Sequence, residues 1–117
     1  MAFKFENLKV WEKVLDLSGE ISDLVKQFPM DEKYVLTPQV KRAADSVALN
    51  IAEGSTGHSN PEFRKLLQYA NRSALEVVGC LFLARRRKLI QLNDFDIFYI
   101  KLTELIKGIQ ALKNSLR

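Results

Sequence analysis

From Asn7 to Phe28 the apolar residues Leu8, Trp11, Val14, Leu15, Ile21, Val25 and Phe28 return at helical steps. That spacing places them on one face of a helix, opposite Glu12, Lys13, Asp16, Glu20 and Asp23. Pro29 predicts its end, because the residue before a proline is driven out of helical φ/ψ. Thr37-Pro38 predicts a second start, with Thr37 as cap and Pro38 at the first helical position. Val40, Ala43, Ala44, Val47 and Ile51 follow as a narrow stripe of mostly small residues, which lets a neighbouring helix come close. Gly54-Ser55-Thr56-Gly57 closes that helix.

A third helix is predicted from Ser59-Asn60-Pro61-Glu62. Either Ser59 and Glu62 form a capping box, or Asn60 caps with Pro61 at the first position. Its inner stripe is Phe63, Leu66, Leu67, Ala70, Ala74, Val77, Leu81 and Ala84. Asn93 predicts the fourth start, with Asp94 and Asp96 favoured by the helix dipole. Phe95, Phe98, Leu102, Leu105, Ile106, Ile109, Leu112 and Leu116 form its core face. No β-branched alternation bounded by turn residues predicts a strand. The expected fold is all-α: an antiparallel up-down-up-down four-helix bundle, one domain over residues 1–117.

The third helix carries a second stripe. Lys65, Gln68, Arg72, Leu75, Gly79, Phe82 and Arg86 alternate three- and four-residue steps on the side away from the core. Its middle is apolar, and a monomer would leave it wet at about 25 cal/mol per Å². Leu49 similarly points away from the second helix's stripe. Leu49, Arg72, Leu75, Gly79 and Phe82 are therefore the candidate residues of a subunit interface.

Charge sharpens the choice of partner. Residues 36–92 hold nine basic and four acidic side chains, a net of +5, whereas residues 1–35 sum to −2 and residues 93–117 to +1. A positive middle favours a polyanion; a solvated basic surface with no partner remains the plain alternative. Arg85-Arg86-Arg87-Lys88 is the densest cluster, and Lys41, Arg64 and Lys65 join it as candidate nucleic-acid contacts. Four successive helical residues fan out by 100° each, so Arg86 and Arg87 are expected to leave the core side most clearly. Basic residues at a helix C-terminus also complement its dipole with no partner at all.

Catalytic patterns fail. The single histidine, His58, has no glutamate three residues before it, so neither a Glu-x-x-His di-metal bundle nor a metalloprotease helix is supported. No Walker spacing occurs, and no arginine closely precedes His58 as a helical nuclease of the Arg/His kind would need. Cys80, alone among Val77, Val78, Leu81 and Phe82, is expected to be a packed hydrophobe. Asn50, Glu53 and Glu76 interrupt apolar stretches; with Arg42 and Arg72 as partners they are expected to build a structural polar network. A catalytic pair of Glu53 and Glu76 would lack a third group. No metal or cofactor is expected. The longest apolar run is too short to span a bilayer and the N-terminus has no signal core, so a cytoplasmic setting and no membrane partner are expected.

The order of short segments resembles a known family. Phe5-Glu6-Asn7-Leu8-Lys9-Val10-Trp11-Glu12-Lys13 is similar to the opening of the four-helix-bundle proteins encoded in intervening sequences of bacterial 23S rRNA genes. Phe28-Pro29, Tyr34-Val35-Leu36-Thr37-Pro38-Gln39, Arg42-Ala43-Ala44, Ser46-Val47, Asn50-Ile51-Ala52-Glu53-Gly54, Glu62-Phe63 and Ser73-Ala74-Leu75-Glu76 continue the likeness. The resemblance implies an antiparallel bundle assembled as a homopentamer. The family includes the accessory protein of diversity-generating retroelements, which implies nucleic acid as a partner. After the signature, relatives often carry an aromatic, a glycine and arginines; here stand Ser55-Thr56-Gly57-His58. The expected function is thus non-enzymatic: a homo-oligomer, pentameric by resemblance, binding RNA or DNA through basic surfaces. A scaffold binding a protein partner is the alternative, and an enzyme such as a nuclease comes third.

Overall fold

The computed structural model describes residues 3–57 and 59–117, and its helices follow the apolar periodicity closely. They are α1 (Lys9–Val25), α2 (Leu36–Ser55), α3 (Asn60–Arg86) and α4 (Leu92–Ser115), with 3₁₀ turns at Lys4–Asn7 and Met30–Glu32. No strand occurs among the described residues. The bundle measures 44 × 23 × 23 Å, and a 27-residue α3 at 1.5 Å per residue accounts for most of its length.

One core runs down the axis. Val14, Ile21, Val40, Val47, Ile51, Phe63, Leu67, Val77, Leu81, Leu102 and Ile109 are almost fully buried. The α2–α3 pair packs most intimately and the α1–α4 seam least. Small buried residues explain the first fact: Ala43, Ala44 and Ala48 of α2 and Ala70 and Ala74 of α3 all lie in the core, with little side-chain bulk to hold the backbones apart. Gly54 extends that close approach: a Cβ there would lie 2.9 Å from Phe63 Cδ1 and 3.0 Å from Leu66 Cβ.

Several expectations need correction. Leu15 is exposed, and Val10, Leu17 and Leu24 supply the α1 face instead. The α2 start falls at Leu36, not after a Thr37 cap, because Leu36 is itself buried and anchors the first turn. Pro38 then sits third in the helix, where its missing N–H has no intrahelical partner to lose. Ser59, not Asn60, caps α3, its Oγ accepting from Glu62 N–H at 3.3 Å; the return bond from the Glu62 carboxylate that a capping box needs is not formed. The α4 helix begins at Leu92 behind Gln91, not at Asn93.

The end of α3 has its own geometry. Lys88 N–H donates to Arg85 O at 3.0 Å and Leu89 N–H to Ala84 O at 2.8 Å, the paired bonds of a Schellman cap. Lys88 fills the left-handed position, φ 60°, that usually takes glycine. At the opposite pole Lys4 and Arg117 both meet α3: Lys4 Nζ lies 5.4 Å from the Phe63 ring centroid, and Asn60 Nδ2 donates to Arg117 O at 2.7 Å.

Candidate interaction surfaces

The predicted outer stripe of α3 is real: Lys65, Gln68, Arg72, Leu75, Gly79, Phe82 and Arg86 are all exposed. Leu75 keeps 57% of its surface, Phe82 42%, and Leu49 on α2 65%. A Cβ added at Gly79 would meet nothing within 4 Å. The five candidate interface residues therefore face outward, as an interface requires. The sequence missed what Phe82 also does. Its ring lies 5.0 Å edge-on from Phe95 and 6.3 Å from Tyr99, tying the stripe to α4. On α4, Leu92, Ile97, Tyr99 and Ile100 are exposed as well; their positions lie off the core stripe, and only a helix-by-helix count of the remaining apolar residues would have flagged them.

The basic candidates divide between two poles. Ser73 Oγ donates to Ser46 Oγ at 2.9 Å, fixing α2 and α3 as antiparallel with those positions opposed. Lys41, level with position 78, therefore lies in the same half of the bundle as Arg85–Lys88, while Lys65 is about 20 Å from it and about 30 Å from Arg85 along α3. Arg64 Nη1 donates to Leu116 O at 3.2 Å, and Lys65 Nζ sits 5.9 Å from the Tyr69 ring centroid.

The four-residue basic cluster is not one patch. Arg87 Nη1 lies 3.1 Å from both carboxylate oxygens of Glu32, so its charge is already matched. Arg85 stacks its guanidinium 4.3 Å from the Phe95 centroid and 4.9 Å from Phe82. Arg86 and Lys88 remain exposed with no ion pair among the described residues. Arg86 and Arg87 both leave the core side as expected, but Glu32 of the 3₁₀ turn already pairs with Arg87.

The polar network is also smaller than expected within one chain. Asn50 Nδ2 donates to Ser46 O at 2.8 Å and Ser46 Oγ at 3.0 Å, and Ser73 completes the string. Arg42, Arg72, Glu53 and Glu76 are exposed, and their side chains make no hydrogen bond or ion pair among the described residues. Glu53 and Glu76 do not share a site: position 43 lies opposite Glu76, which puts about 15 Å of helix between the two. The α1–α2 and α1–α4 joints hold other polar contacts. Ser18 Oγ donates to Asp45 Oδ1 at 2.6 Å, and Lys101 pairs with Glu20.

Among the described residues no group of His, Cys, Asp and Glu is arranged to hold a metal, and no helix is long and apolar enough to cross a membrane. Cys80 is buried; burial first, then the Glu76 carboxylate, pushes its thiol pKa up. His58 lies outside the described residues.

These features define a class: an antiparallel four-helix bundle whose distinctive chemistry sits on outer faces and not in a pocket. The chain belongs to the 23S rRNA-intervening sequence protein family, which matches over residues 6–111. It is also similar to a crystal structure of a protein of unknown function from the S23 ribosomal protein family of Bacteroides thetaiotaomicron. That likeness has 25% identity and a TM-score of 0.84, covering 91% of this chain and 96% of the other. No curated protein matches the chain significantly.

Proposed function

We propose that this chain is a non-enzymatic homo-oligomer that binds nucleic acid through basic surfaces repeated around the assembly. The observation that carries the reading is the exposed α3 stripe, apolar at Leu75, Gly79 and Phe82 and cationic at Lys65, Arg72 and Arg86. Covering its apolar middle with another copy removes that surface from water at about 25 cal/mol per Å². The family resemblance supports five copies. A ring also multiplies modest phosphate contacts through effective concentration. Of the seven basic candidates only Arg87 has an ion-pair partner among the described residues, leaving Lys41, Arg64, Lys65, Arg85, Arg86 and Lys88 to face a polyanion. A lone buried thiol fits a reducing cytoplasmic setting.

The test is light-scattering mass on a size-exclusion column, with and without a structured RNA, at low and high salt. A stable multimer that gains mass with RNA only at low salt supports the reading. Leu75→Glu should then yield folded monomers. A wild-type monomer would sink the assembly argument.

The second reading, a scaffold for a protein partner, is favoured by the exposed Leu92, Ile97, Tyr99 and Ile100 of α4. A multimer indifferent to RNA would move the assignment there.

A further inference from the structure

An open surface depression of ≈ 720 Å³ runs along α2 from the preceding turn to Leu49. Lys33, Lys41 and Arg42 line it together with Pro38, Asp45 and Leu49. Three cations face one carboxylate, and that carboxylate is engaged by the Ser18 hydroxyl at 2.6 Å. None of the three cations has an ion-pair partner among the described residues. The groove follows α2 from the Met30–Glu32 turn to Leu49, about 20 Å of helix, which is the length of a few nucleotides. The α1–α4 cleft differs in both respects. It is smaller, ≈ 210 Å³, and is lined by Asp16, Glu20 and Glu104 against Lys13 and Lys101, a balance that repels a polyanion.

Beside Lys33, outside the lining itself, stands Tyr34. Its side chain is 84% exposed, the most open large apolar group described, and nothing in the bundle explains a ring held so far into water. Lys33 Nζ lies 5.5 Å from its centroid, so a groove-lining ammonium and a free aromatic face adjoin. Single-stranded nucleic acid is recognised by this combination, a cationic track for phosphates beside an aromatic face for an unpaired base. A duplex buries its base faces in its own stack and offers Tyr34 nothing.

We infer that the α2 groove is a site for single-stranded nucleic acid, with Lys33, Lys41 and Arg42 contacting successive phosphates and Tyr34 stacking on a base. The inference rests on the nucleic-acid reading above and adds to it a location and a strand preference. Recognition of this kind is tolerant of sequence, since every base presents a π face. Arg86 and Lys88 at the same pole lie outside the groove lining and serve as the internal control.

The experiment is fluorescence anisotropy of a labelled oligouridine of about a dozen nucleotides, against an RNA duplex of equal length, over a salt series. The wild-type protein should bind the single strand more tightly. Tyr34→Ala should weaken it about 5- to 100-fold with the salt slope unchanged, and Tyr34→Phe should restore it. Combined Lys33→Ala, Lys41→Ala and Arg42→Ala should flatten the slope of log K against log salt by about 2, at ~0.7 per phosphate. All variants are checked for unchanged mass, so that lost assembly is not mistaken for lost binding. Single-strand binding that survives these changes but is lost in Arg86→Ala with Lys88→Ala overturns the groove and leaves the basic-surface reading standing. A duplex bound as tightly as the single strand overturns the stacking role. No binding of either RNA at low salt removes the groove and the parent reading together.

Discussion

Arg87 Nη1 lies 3.1 Å from both carboxylate oxygens of Glu32, clasping the end of α3 to the turn between α1 and α2. Glu32 is only 13% exposed at its side chain while Arg87 is 41% exposed, so solvent screens the pair from one side only. Arg87→Ala should cost about 0.5–1 kcal/mol, read as a lower urea midpoint. Adding Glu32→Gln to Arg87→Ala should cost little more than either change alone, the mark of a coupled pair in a double-mutant cycle.

Gly54 sits where α2 and α3 come closest. Gly54→Ala forces its methyl against Phe63 and Leu66 and should destabilise by about 1–3 kcal/mol. Gly19, on the exposed side of α1, has open space around its Cα, so Gly19→Ala should stabilise by about 0.5–1 kcal/mol. Equilibrium denaturation of the two variants should move in opposite directions.

Lys88 holds a left-handed conformation that a side chain resists, at roughly 1–2 kcal/mol. Lys88→Gly should raise stability by about 1 kcal/mol and leave far-UV helicity intact. A lower melting temperature would refute the strain account.

Because burial raises the Cys80 thiol pKa, the folded chain keeps that proton at a pH where the unfolded chain releases it. The group's contribution is fully present below the ordinary thiol pKa and declines as pH rises past about 8.5. Stability of the native protein should therefore fall more steeply in alkali than that of Cys80→Ala. Thiol reagents at neutral pH should label Cys80 only after denaturant is added.

The helices were legible because periodicity and caps are local. Ser59 three residues before Glu62 specifies the α3 start within one turn of chain, and the structure agrees. Leu36 was not legible as a helix start because a distant core, not a neighbouring cap, holds it. The partners of the basic cluster were not legible for the same reason: Glu32, which pairs with Arg87, is 55 residues away, and Phe95, on which Arg85 stacks, belongs to the next helix. The outward stripe of α3 was readable because it repeats at the helical period. The α2 groove was not, since which side of α2 stays uncovered depends on where the neighbouring helices pack. Asn50 finds its partner one helical turn away in Ser46, so no arginine is needed to satisfy it.

Lys4 and Arg117 both dock at the first turns of α3, at the pole opposite Tyr34 and the α2 groove. A short linker between residues 4 and 117 would cross a single pole, so joining them and cutting the chain elsewhere should not stretch the bundle. A fluorescent protein or affinity handle fused at either end would project from the same rim.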